Sequence, residues 1–193
     1  MGNLLCVSIR KIVITGNPNL HTVAKPVAEI TDEIRDLVAD MYETMALAPG
    51  VGLAAPQVDV GLRIFVFDWH DGTTHYRGEA INPTLELGPI SQEWPDEDTE
   101  SEGCLSIPGE RYPLKRADTA ILTALNLEGE TFSITASGWL ARIFQHEFDH
   151  LDGLLYADRL LKPYQREIKK VIKYEGWGVP GNSWEPGVDY LEP

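Results

Sequence analysis

Two histidines spaced four residues apart are the strongest chemical feature of this sequence. They are His146 and His150, and Glu147 directly follows the first of them. Residues four positions apart on a helix lie on one face, so both imidazole rings can reach a single cation. A cation held there acidifies water, and the neighbouring carboxylate can accept the proton, which is why the pattern recurs in metal-dependent hydrolases. The spacing therefore predicts a hydrolytic metal centre.

Apolar neighbours indicate that this pattern is buried. Ile143 and Phe144 precede the first histidine, and Phe148 lies between the two. The simpler interpretation, in which the two histidines pair with acidic residues on a solvated helix face, is less favoured by such surroundings. Burying histidine and carboxylate side chains without partners costs free energy, and a bound metal ion removes that cost.

The third protein ligand decides which kind of metal site this is, because a catalytic centre keeps three protein ligands and one open position. No histidine follows His150, which excludes the metzincin arrangement. A thermolysin-like peptidase would use a downstream glutamate, and Glu167 and Glu175 are available. Cys104 is the better candidate, although a lone cysteine can also be a small buried apolar residue. A closed site with a fourth protein ligand, which only stabilises the fold, is a further alternative.

Two helices and several strands are predicted to position these residues. Helical spacing of apolar residues and strand-like runs define them. The helices are predicted at 31–48 and 137–152, and the strands at 63–68, 120–127 and 131–135. The small, apolar segment 50–57 is interpreted as a loop that lies close to another part of the molecule. The acidic segment 93–102 is predicted to be a solvated loop.

Length and composition predict one globular domain in a reducing compartment. The chain has 193 residues, of which 43% are hydrophobic and 24% charged, so a single catalytic domain over 1–193 is expected. The segment 176–193 is interpreted as an irregular C-terminal tail. The chain has two cysteines, Cys6 and Cys104, which are too few and too far apart for a disulfide framework. This cysteine content is typical of a protein of the reducing cytoplasm. No apolar run is long enough for a membrane helix, and no secretory leader is recognised.

The charge balance argues against nucleic acids as general partners. Sixteen Lys and Arg against 30 Asp and Glu give a formal net charge of −14, which repels a phosphate backbone over most of the surface. No DNA binding is expected from such a field.

Three blocks of sequence together resemble the signature motifs of bacterial-type peptide deformylases, with actinobacterial members the most similar. They are GVGLAAPQ at 50–57, EGCLS at 102–106 and QHEFDHLDG at 145–153, and the resemblance covers about 10–161. It implies an α+β fold with antiparallel strands around a central helix that carries the metal-binding motif. It also implies a cytoplasmic hydrolase that removes the N-formyl group from the formylmethionine of newly made polypeptides and releases formate.

The resemblance implies that Cys104, His146 and His150 are the metal ligands. One divalent ion is expected, and the family implies that Fe²⁺ is the native one. A thiolate with two imidazoles suits Fe²⁺, Zn²⁺, Ni²⁺ or Co²⁺ equally, so the ligand types do not select among them.

The resemblance also implies the groups that act on the substrate. Glu147 would be the general acid and base, while the Gln57 side chain and the Leu105 backbone N–H would stabilise the oxyanion. The tight approach of Gly52 would leave room for a formyl hydrogen and less for larger acyl groups.

Other residues are predicted to bind substrate or partners. Trp139, Arg142 and Ile143 lie on or beside the face of His146 and are predicted to line the methionine pocket, with core packing as the alternative for the tryptophan and the isoleucine. Arg111 has the spacing of an arginine that holds the substrate backbone in several family members. The basic segment 166–173 would dock on the ribosome by family analogy, and a solvated helix face is the alternative.

Overall fold

The computed structural model describes residues 8–192, so Cys6 lies outside the described part of the chain. Within that range the chain forms nine strands, four α-helices and two short 3₁₀ turns. The strands are β1 Ile12–Val13, β2 Gly52–Ala54, β3 Ile64–His70, β4 His75–Leu87, β5 Ser101–Cys104, β6 Ile107–Pro113, β7 Thr119–Leu125, β8 Thr131–Ser137 and β9 Ser183–Trp184. The helices are α1 Asp32–Leu47, α2 Gly138–Leu151, α3 Tyr156–Arg159 and α4 Lys162–Tyr174, and the 3₁₀ turns are Pro18–His21 and Ala55–Val58.

A five-stranded antiparallel sheet forms the frame on which α2 lies. Its strand order is β2-β3-β4-β7-β8, while β5 pairs with β6 and β1 pairs with β9 in two small antiparallel sheets. The predicted α+β class is confirmed, with α2 packed against strands of the large sheet. None of the helices within 8–192 combines the length and the apolarity needed to cross a membrane.

Aromatic residues join α2 to the sheet. Phe144 on α2 packs edge-on against Phe67 on β3, with ring centroids 5.0 Å apart, and Phe65 lies 6.2 Å from both. All three side chains are at most 1% exposed. Because dispersion and burial fix the side of α2 that faces the sheet, they also fix the side that carries the histidines.

The long strand β4 was not predicted from the sequence, and two other segments differ from their sequence-based expectations. The long strand β4 has no simple alternation, because Asn82 adopts a φ of 50° and the register with β7 shifts between Ile81 and Thr84. The segment 50–57 is not only a loop, since β2 lies within it. The acidic segment 93–102 is largely exposed, yet Glu102 at its end belongs to β5 and is 3% exposed.

Candidate metal centre and its cavity

Three side chains from two elements converge on one point. Cys104 ends β5, and His146 and His150 lie one turn apart on α2. One ligand atom from each lies within 4.8 Å of the other two, and the Cys104 Sγ is 3.4 Å from the His150 Nε2. Glu167 and Glu175 are exposed and take no part in this group. Within the described residues the thiol therefore stands where the peptidase alternative would need a glutamate.

The chemistry of these side chains fits a divalent metal ion. A thiolate and two imidazoles are ligands that Fe²⁺, Zn²⁺, Ni²⁺ and Co²⁺ all accept. Burial lowers the pKa of His150, which keeps its ring neutral and able to ligate. Within 8–192 the group offers three ligand atoms, which leaves a position open to water or substrate.

Glu147 lies beside this centre under a close backbone. The side chain is 4% exposed, and its Oε2 has no hydrogen-bond partner among the described residues. Burial raises the pKa of its carboxyl to about 7. A methyl group on Gly52 would lie 2.7 Å from the Glu147 Cδ, so β2 passes directly over the carboxylate. Such a group can both accept and release a proton near neutral pH.

Gln57 is held with its amide nitrogen toward the centre. Its Oε1 accepts a hydrogen bond of 2.9 Å from the Ala54 backbone N–H, which leaves the Nε2 facing the Cys104 Sγ at 3.7 Å and the Ser106 Oγ at 3.4 Å. The residue is 1% exposed. Leu105, which follows Cys104 in the chain, lies in the turn between β5 and β6.

Glu102 links the metal centre to buried arginines. Its Oε2 lies 3.0 Å from the His146 Nδ1, and both carboxylate oxygens accept hydrogen bonds of 2.8 Å from Arg116. Arg142 donates to its Oε1 at 2.7 Å, and Arg116 also donates to Asp149 at 2.6 Å. Burial alone would raise the pKa of Glu102, but the hydrogen bonds from Arg116 and His146 hold it well below the ordinary value. The anionic carboxylate therefore orients His146.

A cavity of about 330 Å³ opens onto the centre and is lined by the residues that were predicted from the sequence to bind substrate. Trp139 is 41% exposed at its rim, and Ile143 is buried at 4%. Arg142 lines the cavity, although its guanidinium is bound to Glu102 and to the Leu114 carbonyl. The other predicted residues on the cavity wall are Gly52, Gln57, Leu105, Arg111 and Glu147.

Trp69 and Glu192 are among the residues of the cavity wall that sequence analysis missed. Trp69, near the end of β3, lies 6.2 Å from Trp139 between ring centroids and extends the aromatic rim. Its position at the end of an apolar strand was the one available signal. Glu192 accepts a hydrogen bond of 3.1 Å from the Gly109 backbone N–H, and no pattern in the sequence joins those two positions.

A thiol and two imidazoles around one point, with a buried carboxylate beside them and an open cavity, define a metal-dependent hydrolase. The model of the polypeptide deformylase family matches residues 9–166, and the chain belongs to that family. Its members remove the N-formyl group from newly made polypeptides, so the predicted family and activity are both confirmed.

Relatives and solved structures of this family match most of the length of this chain. Peptide deformylase 2 of Corynebacterium efficiens is 51% identical over 186 residues, which are 95% of this chain and 96% of the relative. The peptide deformylase of Mycolicibacterium paratuberculosis is 47% identical, with 94% of this chain and 96% of the relative covered. The structure of the Ehrlichia chaffeensis enzyme with actinonin has a TM-score of 0.75 at 36% identity and covers 87% of this chain and 98% of its own.

Proposed function

We propose that Cys104, His146 and His150 hold the catalytic metal ion and that Glu147 moves the protons of the deformylation reaction. The observation that carries this proposal is the convergence of the three ligand atoms within 4.8 Å beside a buried carboxylate. When bound, the metal acidifies water and polarises the formyl carbonyl. Glu147 accepts a proton from water as the water oxygen bonds to the formyl carbon. It then delivers that proton to the amine nitrogen as the C–N bond breaks, which leaves formate and a free amino terminus.

Gln57 and Leu105 stabilise the negative charge that develops on the formyl oxygen. The Gln57 amide cannot turn away, because its Oε1 is bound to Ala54. Leu105 lies on the wall of the same cavity, and its backbone N–H is the second proposed donor. Donors fixed in place before the reaction act on the transition state without any cost of reorganisation.

The aromatic rim and Ile143 bind the methionine side chain. Trp139 and Trp69 offer a wide apolar surface, while Ile143 closes the pocket beneath them. Arg142 contributes the stem of its side chain, since its charge is neutralised by Glu102. Arg111 is exposed beside Gly103. It contacts the backbone of the substrate peptide beyond the formylmethionine. The Acinetobacter baumannii enzyme, 31% identical with a TM-score of 0.69, has been solved with Met-Ala-Ser bound.

Gly52 selects for the formyl group. Because β2 passes so close to Glu147, an acyl substituent larger than hydrogen would collide with the strand. Acetylated peptides are therefore expected to be poor substrates.

Fe²⁺ is the metal ion that we assign to the native enzyme, on the family resemblance. Metal analysis after purification without oxygen tests it: iron at one equivalent per chain with full activity supports the assignment, and zinc at one equivalent with the same activity contradicts it. The thiolate ligand also fits the cytoplasm, where thiols stay reduced.

One assay tests the proposed roles. Formate release from formyl-Met-Ala-Ser is compared with cleavage of an unblocked peptide, before and after Glu147→Ala. The variant is expected to keep its metal and to lose turnover by about 10²–10⁴-fold, the usual contribution of a positioned acid and base. A variant that retains both metal and turnover would exclude Glu147 from proton transfer.

The exposed face of α4 is the surface for ribosome contact. Arg166, Lys169, Lys170 and Lys173 are all exposed, while Ile168 on the same helix is buried against the domain. A positive strip on a protein of net charge −14 is suited to ribosomal RNA.

A matched pair of variants tests the ribosome contact. Lys169→Gln with Lys170→Gln is expected to reduce cosedimentation with ribosomes at low salt, whereas Lys11→Gln with Lys25→Gln, equally exposed elsewhere, is not. Equal cosedimentation of the two would leave α4 as an ordinary solvated face.

A further inference from the structure

The turn between β5 and β6 is hydrogen-bonded from outside its own small sheet. Leu105 and Ser106 form this turn. The Leu105 carbonyl accepts a hydrogen bond of 2.8 Å from the Trp184 indole N–H, and the Ser106 carbonyl accepts one of 2.8 Å from the Thr15 backbone N–H. Both carbonyl groups of the turn are thus occupied by donors from distant parts of the chain.

One donor lies in a two-stranded sheet and the other lies next to it. Trp184 lies in β9, opposite Ile12 of β1, and Thr15 follows β1 two residues after its end. The Thr15 carbonyl in turn accepts a hydrogen bond of 2.9 Å from the Gly178 N–H. The pair β1 and β9 therefore acts as a clamp on the turn.

The hydrogen bond from Trp184 is partly buried. Trp184 is 3% exposed, and Leu105 packs against the same hydrophobic core cluster that contains it. A buried donor that loses its partner is not easily satisfied in another way, so the bond holds the Leu105 carbonyl in one orientation.

This orientation constrains the amide group that we assign to the oxyanion. The peptide plane that carries the Leu105 N–H lies between the Cα atoms of Cys104 and Leu105. Cys104 belongs to β5 and to the metal centre, while the next peptide plane is held by Trp184. With rigid peptide planes, fixing both neighbours leaves the plane between them little freedom to rotate.

The β9 half of the clamp lies outside the segment that defines the family. The family model ends at residue 166, whereas Trp184 lies 18 residues further on, in the segment interpreted from sequence as an irregular tail. The signature motifs supply the donor itself, and the C-terminal segment supplies its support.

We propose that Trp184 is a positioning residue for deformylation, which holds the Leu105 N–H in the direction of the formyl oxygen through the Leu105 carbonyl. The inference rests on the proposed role of the Leu105 N–H. It adds a residue that touches neither the substrate nor the metal.

The variant Trp184→Phe removes the N–H donor and keeps an aromatic ring. We expect kcat for formyl-Met-Ala-Ser to fall by about tenfold, less than the ~10²–10³-fold that follows complete loss of an oxyanion donor. KM and metal content should change less than twofold, because binding and ligation do not depend on this bond. Trp177→Phe is the matched control, since Trp177 is the other tryptophan of the C-terminal segment and is half-buried against the same core cluster. An unchanged kcat in Trp184→Phe at a temperature at which both variants are folded would overturn the proposal.

A measurement without turnover separates positioning from general stability. In the zinc-loaded enzyme, the ¹H–¹⁵N signal of the Leu105 amide is expected to shift or broaden in Trp184→Phe and to stay in place in Trp177→Phe. An unperturbed Leu105 signal in Trp184→Phe would contradict the proposal even if kcat fell. Absence of formate release in the wild type would instead contradict the proposed function, and the Leu105 signal would still test the clamp.

A closer analogue keeps the test valid if Trp184→Phe does not fold. Replacing Trp184 with β-(3-benzothienyl)alanine preserves the shape of the indole and substitutes sulfur for the N–H. The same loss of kcat is expected. Wild-type kcat in this analogue would show that the ring shape, and not the hydrogen bond, matters, and would overturn the proposal.

Discussion

Adding one methyl group at Gly52 should displace Glu147, the proposed acid and base, without changing that residue itself. The Cβ of an alanine there would lie 2.7 Å from the Glu147 Cδ and 2.9 Å from its Cγ, distances that real Cβ atoms essentially never show. The backbone of β2 cannot retreat easily, because Gly52 pairs with Phe67 in the sheet. The carboxylate of Glu147 must therefore move.

The size of that movement sets the expected loss of activity. Restoring ordinary contact requires the carboxylate to shift by roughly 1 Å, and a misplacement of ~1 Å in an active site can cost about 10²-fold in rate. Overpacking of this kind also destabilises a protein by about 1–3 kcal/mol. We expect Gly52→Ala to lose about 10²-fold in kcat/KM for formyl-Met-Ala-Ser and to keep its metal.

Gly78→Ala provides the control. Its Cβ would lie 2.9 Å from the Phe67 Cζ, so it overpacks the same sheet without contacting Glu147. Denaturant unfolding should show similar losses of stability for the two variants, while formate release should fall only in Gly52→Ala. Adding Gly52→Ala to Glu147→Ala should have little further effect, because the two changes act on one group. Equal activity of the two alanine variants, or full additivity in the double variant, would refute this reasoning.

Three further perturbations address the groups around the metal. Arg116→Ala removes the cation that the buried carboxylates of Glu102 and Asp149 share and leaves them only Arg142 and Arg159. It should lower the free energy of unfolding by up to about 3–5 kcal/mol, measured with urea; a loss below ~1 kcal/mol would contradict the buried network. A chelator should lower the thermal midpoint of the wild type, since metal at 100 times its Kd contributes about 2.7 kcal/mol, and should have no such effect on Cys104→Ser. Gln57→Leu should reduce kcat by about 10²–10³-fold with KM nearly unchanged. A change confined to KM would contradict the proposed stabilisation of the oxyanion by the Gln57 amide.

The features that the sequence could predict are those encoded locally. The spacing of His146 and His150 and the apolar positions of α2 repeat within a few residues, so a helix with both rings on one face follows directly. The hairpin of β7 and β8 is similarly local, with its turn at Asn126–Glu130 marked by Gly129. These elements lie within one or two residues of their predicted ends.

The features that could not be predicted depend on pairings between distant positions. The sequence allows Glu102 to be proposed as a partner of Arg116. Its burial at the end of an acidic segment could not be predicted, because it depends on pairing with both Arg116 and Arg142. The strand β9 has two residues and gains its partner from β1, about 170 positions earlier in the chain. Neither the length nor the composition of β9 identifies it as a strand in the sequence. The strand is stabilised by the hydrophobic core into which Trp184 packs.

This division has a consequence for how the site is built. The groups that we assign to the chemistry lie on three short motifs, and two of these motifs depend on contacts from outside them. Glu102 and Leu105 of the 102–106 motif are bound by Arg116 and Trp184, and Glu147 of the 145–153 motif lies under Gly52. Gln57, in contrast, is held by Ala54 of its own motif. Pre-organisation of a donor or a base requires that its neighbours cannot relax, and long-range contacts to a buried core supply that rigidity better than a local turn does. Substitutions at such supporting positions should therefore reduce kcat while the metal ligands remain intact.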